Sequence, residues 1–255
     1  MPGNFVWYEL MTTDAGAACA FYRQVIGWAA DSAQMPGMDY TLMANAHGQV
    51  AGVMALPAEV LAAGGRPAWS GFVEVADVDA STAAAQAAGG GVCVAPQDIP
   101  GVGRFATLTD PQGAVFNVYS SNQGAEKPQP AGAAGSVGWH ELMATEPASA
   151  LAFYAGLFGW VAADAIDMGE AGTYQLFRSA ADGEAVGGLM RCMPGMPVPC
   201  WQYYINVPAI DAAVTRIAGA GGQVVNGPMQ VPGGSWIVNA IDPQGAMFSL
   251  VAPAR

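Results

Sequence analysis

The apolar and polar positions of this chain fall into short blocks whose period switches between that of a strand and that of a helix. Phe5 to Met11 is rich in aromatic and branched residues and predicts a strand. Thr13 and Asp14 offer capping oxygens ahead of AGAACAFYRQVI, and Gly27 stops that helix where a positive φ is favoured. Tyr40 to Ala44 and Val50 to Leu56 read as two strands around an Asn45/His47-Gly48 turn. After a Pro/Gly-rich connection, Ala68 to Val75 predicts a strand and Asp77 to Ala88 an Ala-rich helix ended by Gly89-Gly90-Gly91. Val92 to Ala95, Arg104 to Thr109 and Ala114 to Tyr119 follow as strands, the last two parted by the turn Asp110-Pro111-Gln112-Gly113. The order is a strand and a helix followed by about three strands, twice over.

The second part of the chain repeats the first. Sliding the sequence by 132 residues sets WYELMTTDAGAACAFYRQVIGW (from Trp7) on WHELMATEPASALAFYAGLFGW (from Trp139), with about half the positions identical. The same offset superposes Trp69 on Trp201, Pro100-Gly101 on Pro232-Gly233, and Asp110-Pro111-Gln112-Gly113 on Asp242-Pro243-Gln244-Gly245. Ser121 to Ser136 has the Pro, Gly, Ala and polar composition of a linker. The expected domains are 1–122 and 137–255, joined by a linker over 123–136 with the boundary near residue 130.

Composition narrows the function classes. Of 255 residues, 53% are apolar and 11% charged, which suits a packed soluble protein and neither disorder nor a membrane span. Eight basic against 20 acidic residues give a net charge of −12, which repels nucleic acid and anionic membranes while favouring cationic ligands. MPGNFVWYEL lacks a basic n-region and an apolar h-region, so a cytoplasmic location is expected. Cys19, Cys93, Cys192 and Cys200 form no CxxC pair and are expected to be buried free thiols. No phosphate-binding or nucleophile-elbow glycine motif occurs, and the glycine clusters at 89–91 and 219–222 follow helices instead of opening them. The lone lysine, Lys127, falls in the linker, away from any expected site.

The run T-x-D-x(6)-F-Y-x(4)-G-W after a first strand, V-x-V-x-D-V-D-A at Val73 to Ala80, and D-P-Q-G before a last strand together resemble the vicinal-oxygen-chelate (glyoxalase/bleomycin-resistance/dioxygenase) superfamily. The likeness covers nearly the whole chain outside the linker, and it is closest to tandem two-domain proteins labelled glyoxalase-like or hydroxylase. It implies an α+β fold: four βαβββ modules paired into two glyoxalase-like domains with cup-shaped mixed sheets.

In metal-dependent relatives four strand positions per domain can supply ligands. Carried onto this chain they fall on Trp7, Met54, Ser70 and Asn117, and on Trp139, Met190, Gln202 and Ser249. A divalent ion needs imidazole, carboxylate or amide oxygen, so neither set is expected to hold one. A two-histidine iron site also fails, because His47 and His140, the two histidines, lie in different halves. His140, next to Trp139, is expected to face the helix layer as a packing residue.

If Trp7 faces into its cup, so do Glu9 and Met11, together with Ser70, Phe72 and Glu74 and with Asn117 and Tyr119. The second set is Trp139, Glu141, Met143, Gln202, Tyr204, Asn206 and Ser249. Glu9 and Glu141 share a repeat position amid apolar neighbours, where a carboxylate must be hydrogen-bonded, paired or neutralised. They are candidate bases or ligand anchors, or structural carboxylates holding backbone N–H groups, and the repeat does not choose between these. Trp7 and Trp139 are candidate stacking platforms or core.

The leading expectation is a metal-independent protein that binds or sequesters a small cationic or planar molecule, as in the antibiotic-resistance branch of the superfamily. No cofactor is expected. The alternatives are a lyase or isomerase using a cup glutamate or a divalent metal on other ligands, and a degenerate structural or interaction module. The chain is expected as a monomer with paired domains or a homodimer.

Overall fold

The protein is described from a computed structural model covering residues 3–33, 39–124, 129–193 and 198–255, so Lys127 lies outside the described residues. A first module holds β1 (Phe5–Thr12), α1 (Ala15–Val25), β2 (Ala29–Ala33), β3 (Tyr40–Asn45) and β4 (Gly48–Ala55). A short helix, α2 (Ala58–Ala62), leads to the second: β5 (Ala68–Glu74), α3 (Val78–Ala87), β6 (Gly91–Ile99), β7 (Gly103–Thr109) and β8 (Val115–Ser121). The third has β9 (Val137–Ala144), α4 (Pro147–Phe158), β10 (Val161–Asp167), β11 (Thr173–Arg178) and β12 (Ala185–Arg191). The fourth has β13 (Cys200–Asn206), α5 (Ile210–Gly219), β14 (Gln223–Gln230), β15 (Trp236–Ile241) and β16 (Met247–Ala252).

This is the α+β arrangement of four βαβββ modules. Two eight-stranded mixed sheets run in the orders β2-β3-β4-β1-β5-β8-β7-β6 and β10-β11-β12-β9-β13-β16-β15-β14. Within each module the first strand pairs in parallel with the last, Glu9 opposite Gly52 and Glu141 opposite Gly188. The crossover helix makes this parallel pairing possible.

Two of the helices, α1 and α3, begin on side-chain caps. Asp14 accepts from the Ala17 amide and Asp77 from the Ala80 amide, both at 2.9 Å, satisfying N-terminal donors that a helix cannot satisfy itself. Three features departed from the sequence reading. The Pro/Gly-rich connection contains α2, and each half's first module carries an extra strand, β2 being AADSA. β2 is a sheet edge built from small, mostly exposed residues, so neither β-branching nor burial marks it. β6 also runs on to Ile99 through exposed polar residues and a register shift.

Chain contacts sort the protein into two compact units that do not follow the sequence halves. One holds Met1–Val6, Ser70–Pro128 and His140–Gln202; the other Trp7–Trp69, Gln129–Trp139 and Tyr203–Arg255. Each unit thus takes one module from each half.

The repeated words of the sequence are the struts inside these units. In the second unit Tyr22 on α1 donates to Asp242 Oδ2 at 3.0 Å while accepting from Trp69 Nε1 at 2.9 Å. In the first, Tyr154 on α4 donates to Asp110 at 3.2 Å and accepts from Trp201 at 3.0 Å. Trp28 donates to the Gly135 carbonyl and Trp160 to that of Gly3, so every partner is exchanged at the 132-residue offset. The C-terminal end of the expected linker is therefore anchored: Gly135 and Ser136 are buried, and Gln129 accepts from Asn45. Phe21 packs edge-on to Phe248, and Phe116 to Phe153, in the same reciprocal way. Burial of each such ring contributes about 1.5–3 kcal/mol.

Candidate functional site

In the second unit, alternation along β1 puts Trp7 and Glu9 on one face, where Tyr40 of β3 joins them. Trp7 Nε1 donates to the Tyr40 hydroxyl at 3.0 Å, and that hydroxyl donates to Glu9 Oε2 at 3.0 Å. The room for Tyr40 comes from Gly52 on β4, since a Cβ at Gly52 would collide with the phenol. Glu9 is 9% exposed, and burial pushes its carboxyl up from 4.5 to about 7 against the lowering effect of the Tyr40 hydrogen bond. Burial, then the Glu9 charge, also raises the Tyr40 phenol. Tyr40 engages Oε2, which leaves Oε1 for another group.

The first unit repeats the pair. Tyr174 of β11 donates to Glu141 Oε2 at 2.9 Å, and its ring lies over Gly188, which a side chain there would displace. Glu141 is 7% exposed. Cys200 lies near it, its thiol pushed up to about 11 by burial and by Cys192 and Glu141. Tyr40, Tyr174 and the two glycines were not singled out from the sequence. Tyr40 and Tyr174 stand at or next to the starts of matching strands and Gly52 and Gly188 sit in matching ones, but nothing in the sequence says that each phenol meets its carboxylate across the glycine.

The remaining expected residues divide. Ser70 and Glu74 are half-buried and Phe72 is buried against Phe105 and Tyr119. Asn117 is committed elsewhere: it accepts from Thr107 at 2.7 Å and donates to the Gly71 carbonyl at 3.2 Å. Tyr119 donates to the Val102 carbonyl at 3.4 Å, its ring filling the space left by Gly103. Trp139 is half-buried and Gln202 buried. Ser249 is fully buried and accepts from Asn239, which also donates to the Tyr204 hydroxyl. Asn206 is spent on Ser136, donating to its carbonyl and hydroxyl at 3.1 Å each.

The donor positions do not suit a metal. Trp7 and Trp139 offer indole and Met54 and Met190 thioether, so each half is left with two oxygen-bearing side chains, Ser70 and Asn117 in one and Gln202 and Ser249 in the other, and Asn117 and Ser249 already have internal partners. Among the described residues no three His, Cys, Asp or Glu side chains cluster. His140 is buried and stacked on Phe5 at 4.3 Å, its Nδ1 against the Val186 carbonyl, and burial lowers its pKa to about 4. It is a neutral packing residue. His47 is exposed in its turn. The four cysteines are free, but the expectation that they are buried holds for Cys19 alone: Cys93 is exposed and the other two are half-buried.

A family model described as Glyoxalase/Bleomycin resistance protein/Dioxygenase superfamily matches residues 4–118 and 136–250. The chain belongs to this superfamily. Among its relatives is "Putative glyoxylase CFP32" of Mycobacterium tuberculosis, 33% identical over 97% of this chain and 94% of that protein. "Anthracycline biosynthesis protein DnrV" of Streptomyces peucetius is 33% identical over 98% of this chain and 93% of its own. Solved structures share the fold: the Mn(II)-bound glyoxalase of Novosphingobium aromaticivorans has a TM-score of 0.67 at 17% identity, covering 99% of this chain and 82% of that one. The 2,2',3-trihydroxybiphenyl 1,2-dioxygenase of Sphingomonas wittichii gives 0.68 at 13%, covering 99% and 91%. Both of these fold-mates bear metal or dioxygenase names; at the first- and middle-strand positions that the sequence resemblance assigns to ligands, this superfamily member has Trp7, Trp139, Met54 and Met190. No described helix is long and apolar enough to cross a membrane.

Proposed function

We propose that this superfamily member binds a small organic molecule without a resident metal, anchoring it on the Glu–Tyr pairs Glu9–Tyr40 and Glu141–Tyr174. The observation that carries the reading is the Trp7–Tyr40–Glu9 relay, which presents one carboxyl oxygen beside an indole. A carboxyl in that setting accepts from a cation or N–H donor when ionised and donates when protonated, and the indole offers a flat apolar wall. A planar ligand with one polar or cationic group matches both. The relatives named for anthracycline biosynthesis point the same way, since anthracyclines are fused planar ring systems.

The test combines metal analysis with a tryptophan-fluorescence titration against planar amines and polycyclic aromatics. Saturable quenching that is lost in Trp7→Ala and weakened at least tenfold in Glu9→Gln is expected. One stoichiometric divalent ion per half, or no saturable ligand across the panel, overturns the reading.

One observation favours a second reading. A carboxyl held near neutrality is suited to proton transfer, so Glu9 would serve as the base of a lyase or isomerase. Turnover rising with pH through about 7, abolished in Glu9→Gln with binding retained, separates catalysis from binding.

A further inference from the structure

The 132-residue repeat supplies an internal template for reading a groove in the first unit. In the second unit, Arg216 of α5 reaches the C-terminal end of α1 and donates from Nε to the Val25 carbonyl at 2.8 Å. Carbonyls of a helix's last turn have no N–H of their own helix to pair with, and they carry the negative end of its dipole. Arg216 covers that end, and Val25 is buried. The repeat partners are Ala84 for Arg216 and Leu157 for Val25.

In the first unit the guanidinium is missing and a groove of about 350 Å³ stands in its place. Gly3, Val75, Ala80, Ala84, Leu157 and Phe158 are among its walls. Leu157 at the end of α4 is half-buried where Val25 is buried, and Ala84 is exposed. The last turn of α4 has no basic residue, whereas that of α1 has Arg23. Charge changes in the complementary direction at the rim: Asp77 lines the groove, while its repeat partner is Ala209. The first unit therefore has an added carboxylate and lacks the cation that the second unit provides from its own chain.

We propose that this groove between α3 and α4 is a binding site for a small alkylguanidinium ligand, its fork on the C-terminal carbonyls of α4 and the Asp77 carboxylate and its methylenes along Val75, Ala84 and Phe158. The ligand occupies the position of the Arg216 side chain in the other unit. The volume lies at the small end of the usual range for ligand sites. A guanidinium fits better than an ammonium, because its planar fork spans a carbonyl and a carboxylate at once. The site is independent of Glu9 and Glu141, so its failure leaves the proposed function standing.

The test uses the full chain and agmatine as probe, followed by amide chemical shifts. Saturable shifts confined to residues 76–84 and 157–159 are expected, with a midpoint on the order of millimolar. Butylamine binds several-fold more weakly. Ala84→Arg fills the groove from within, raises Tm and removes the agmatine response. Asp77→Asn keeps the helix cap and weakens binding about two- to fivefold. No saturable shift, equal response to butylamine, undiminished agmatine binding in Asp77→Asn, or unchanged agmatine binding in a folded Ala84→Arg protein overturns the proposal.

Discussion

Tyr22 donates its phenolic hydrogen to Asp242, 220 residues further along the chain, and Tyr154 does the same for Asp110 in the opposite direction. These bonds put an F-Y helix word from one half against the D-P-Q-G turn of the other. Asp242 meanwhile holds its own turn, accepting from the amides of Gln244 and Ala246 at 3.0 and 2.8 Å. A motif that looks local is thus a joint between halves.

Removing the hydroxyl should cost more than one hydrogen bond. In Tyr22→Phe the half-buried Trp69 N–H and the buried Asp242 carboxylate both lose a partner, and a loss of about 1–3 kcal/mol is expected. Urea denaturation of Tyr22→Phe and Tyr154→Phe checks it; a loss below about 0.5 kcal/mol for both would count against the strut role.

The exchange also predicts how a half behaves alone. Residues 1–122 keep Tyr22 and Trp28 but lose Asp242 and Gly135, whose counterparts Asp110 and Gly3 a second copy carries. The isolated half is expected to elute as a dimer, and a stable folded monomer by light scattering would be the contrary result.

Glu9 and His140 tilt stability with pH in opposite directions. Glu9 keeps its proton to about 7 when folded, so the unfolded chain binds fewer protons between 4.5 and 7. Its contribution is full below 4.5 and is lost as pH rises to 7. His140 stays neutral to about 4, so its contribution is full above 6.5 and is lost as pH falls to 4. Glu9→Gln should raise stability above pH 7 by up to about 3 kcal/mol and leave the His140 slope exposed. Chemical denaturation from pH 4 to 8 tests this, and identical profiles for wild type and variant would refute it.

Gly52→Ala drives a methyl into the Tyr40 phenol and must displace it from Glu9. Overpacking of this kind costs about 1–3 kcal/mol. The variant is expected to share the ligand-binding defect of Tyr40→Phe, read by the same fluorescence titration; full binding in both would show that the relay is not part of the site.

Much was legible without coordinates. The 132-residue repeat, the capping aspartates, the D-P-Q-G turns and the strand bearing Trp7 and Glu9 are local facts, set by turn and cap chemistry and by period-2 alternation. β2 was not legible, because an exposed edge strand of small residues carries no hydrophobic period. Tyr40 was passed over for a different reason: it meets Glu9 through the space above Gly52, and such a vacancy has no signature in one sequence.

The sequence by itself determined two tandem copies of a βαβββ pair and the side chains at the anchored strand positions, Trp7, Asn117, Trp139 and Ser249, since both follow from residue type at fixed spacing. Tertiary structure decided which modules pack together and what Glu9 and Glu141 meet. Side-chain partners 31 and 220 residues apart depend on how helices and sheets stack, and burial then sets the proton affinity of a carboxyl that would otherwise be ordinary.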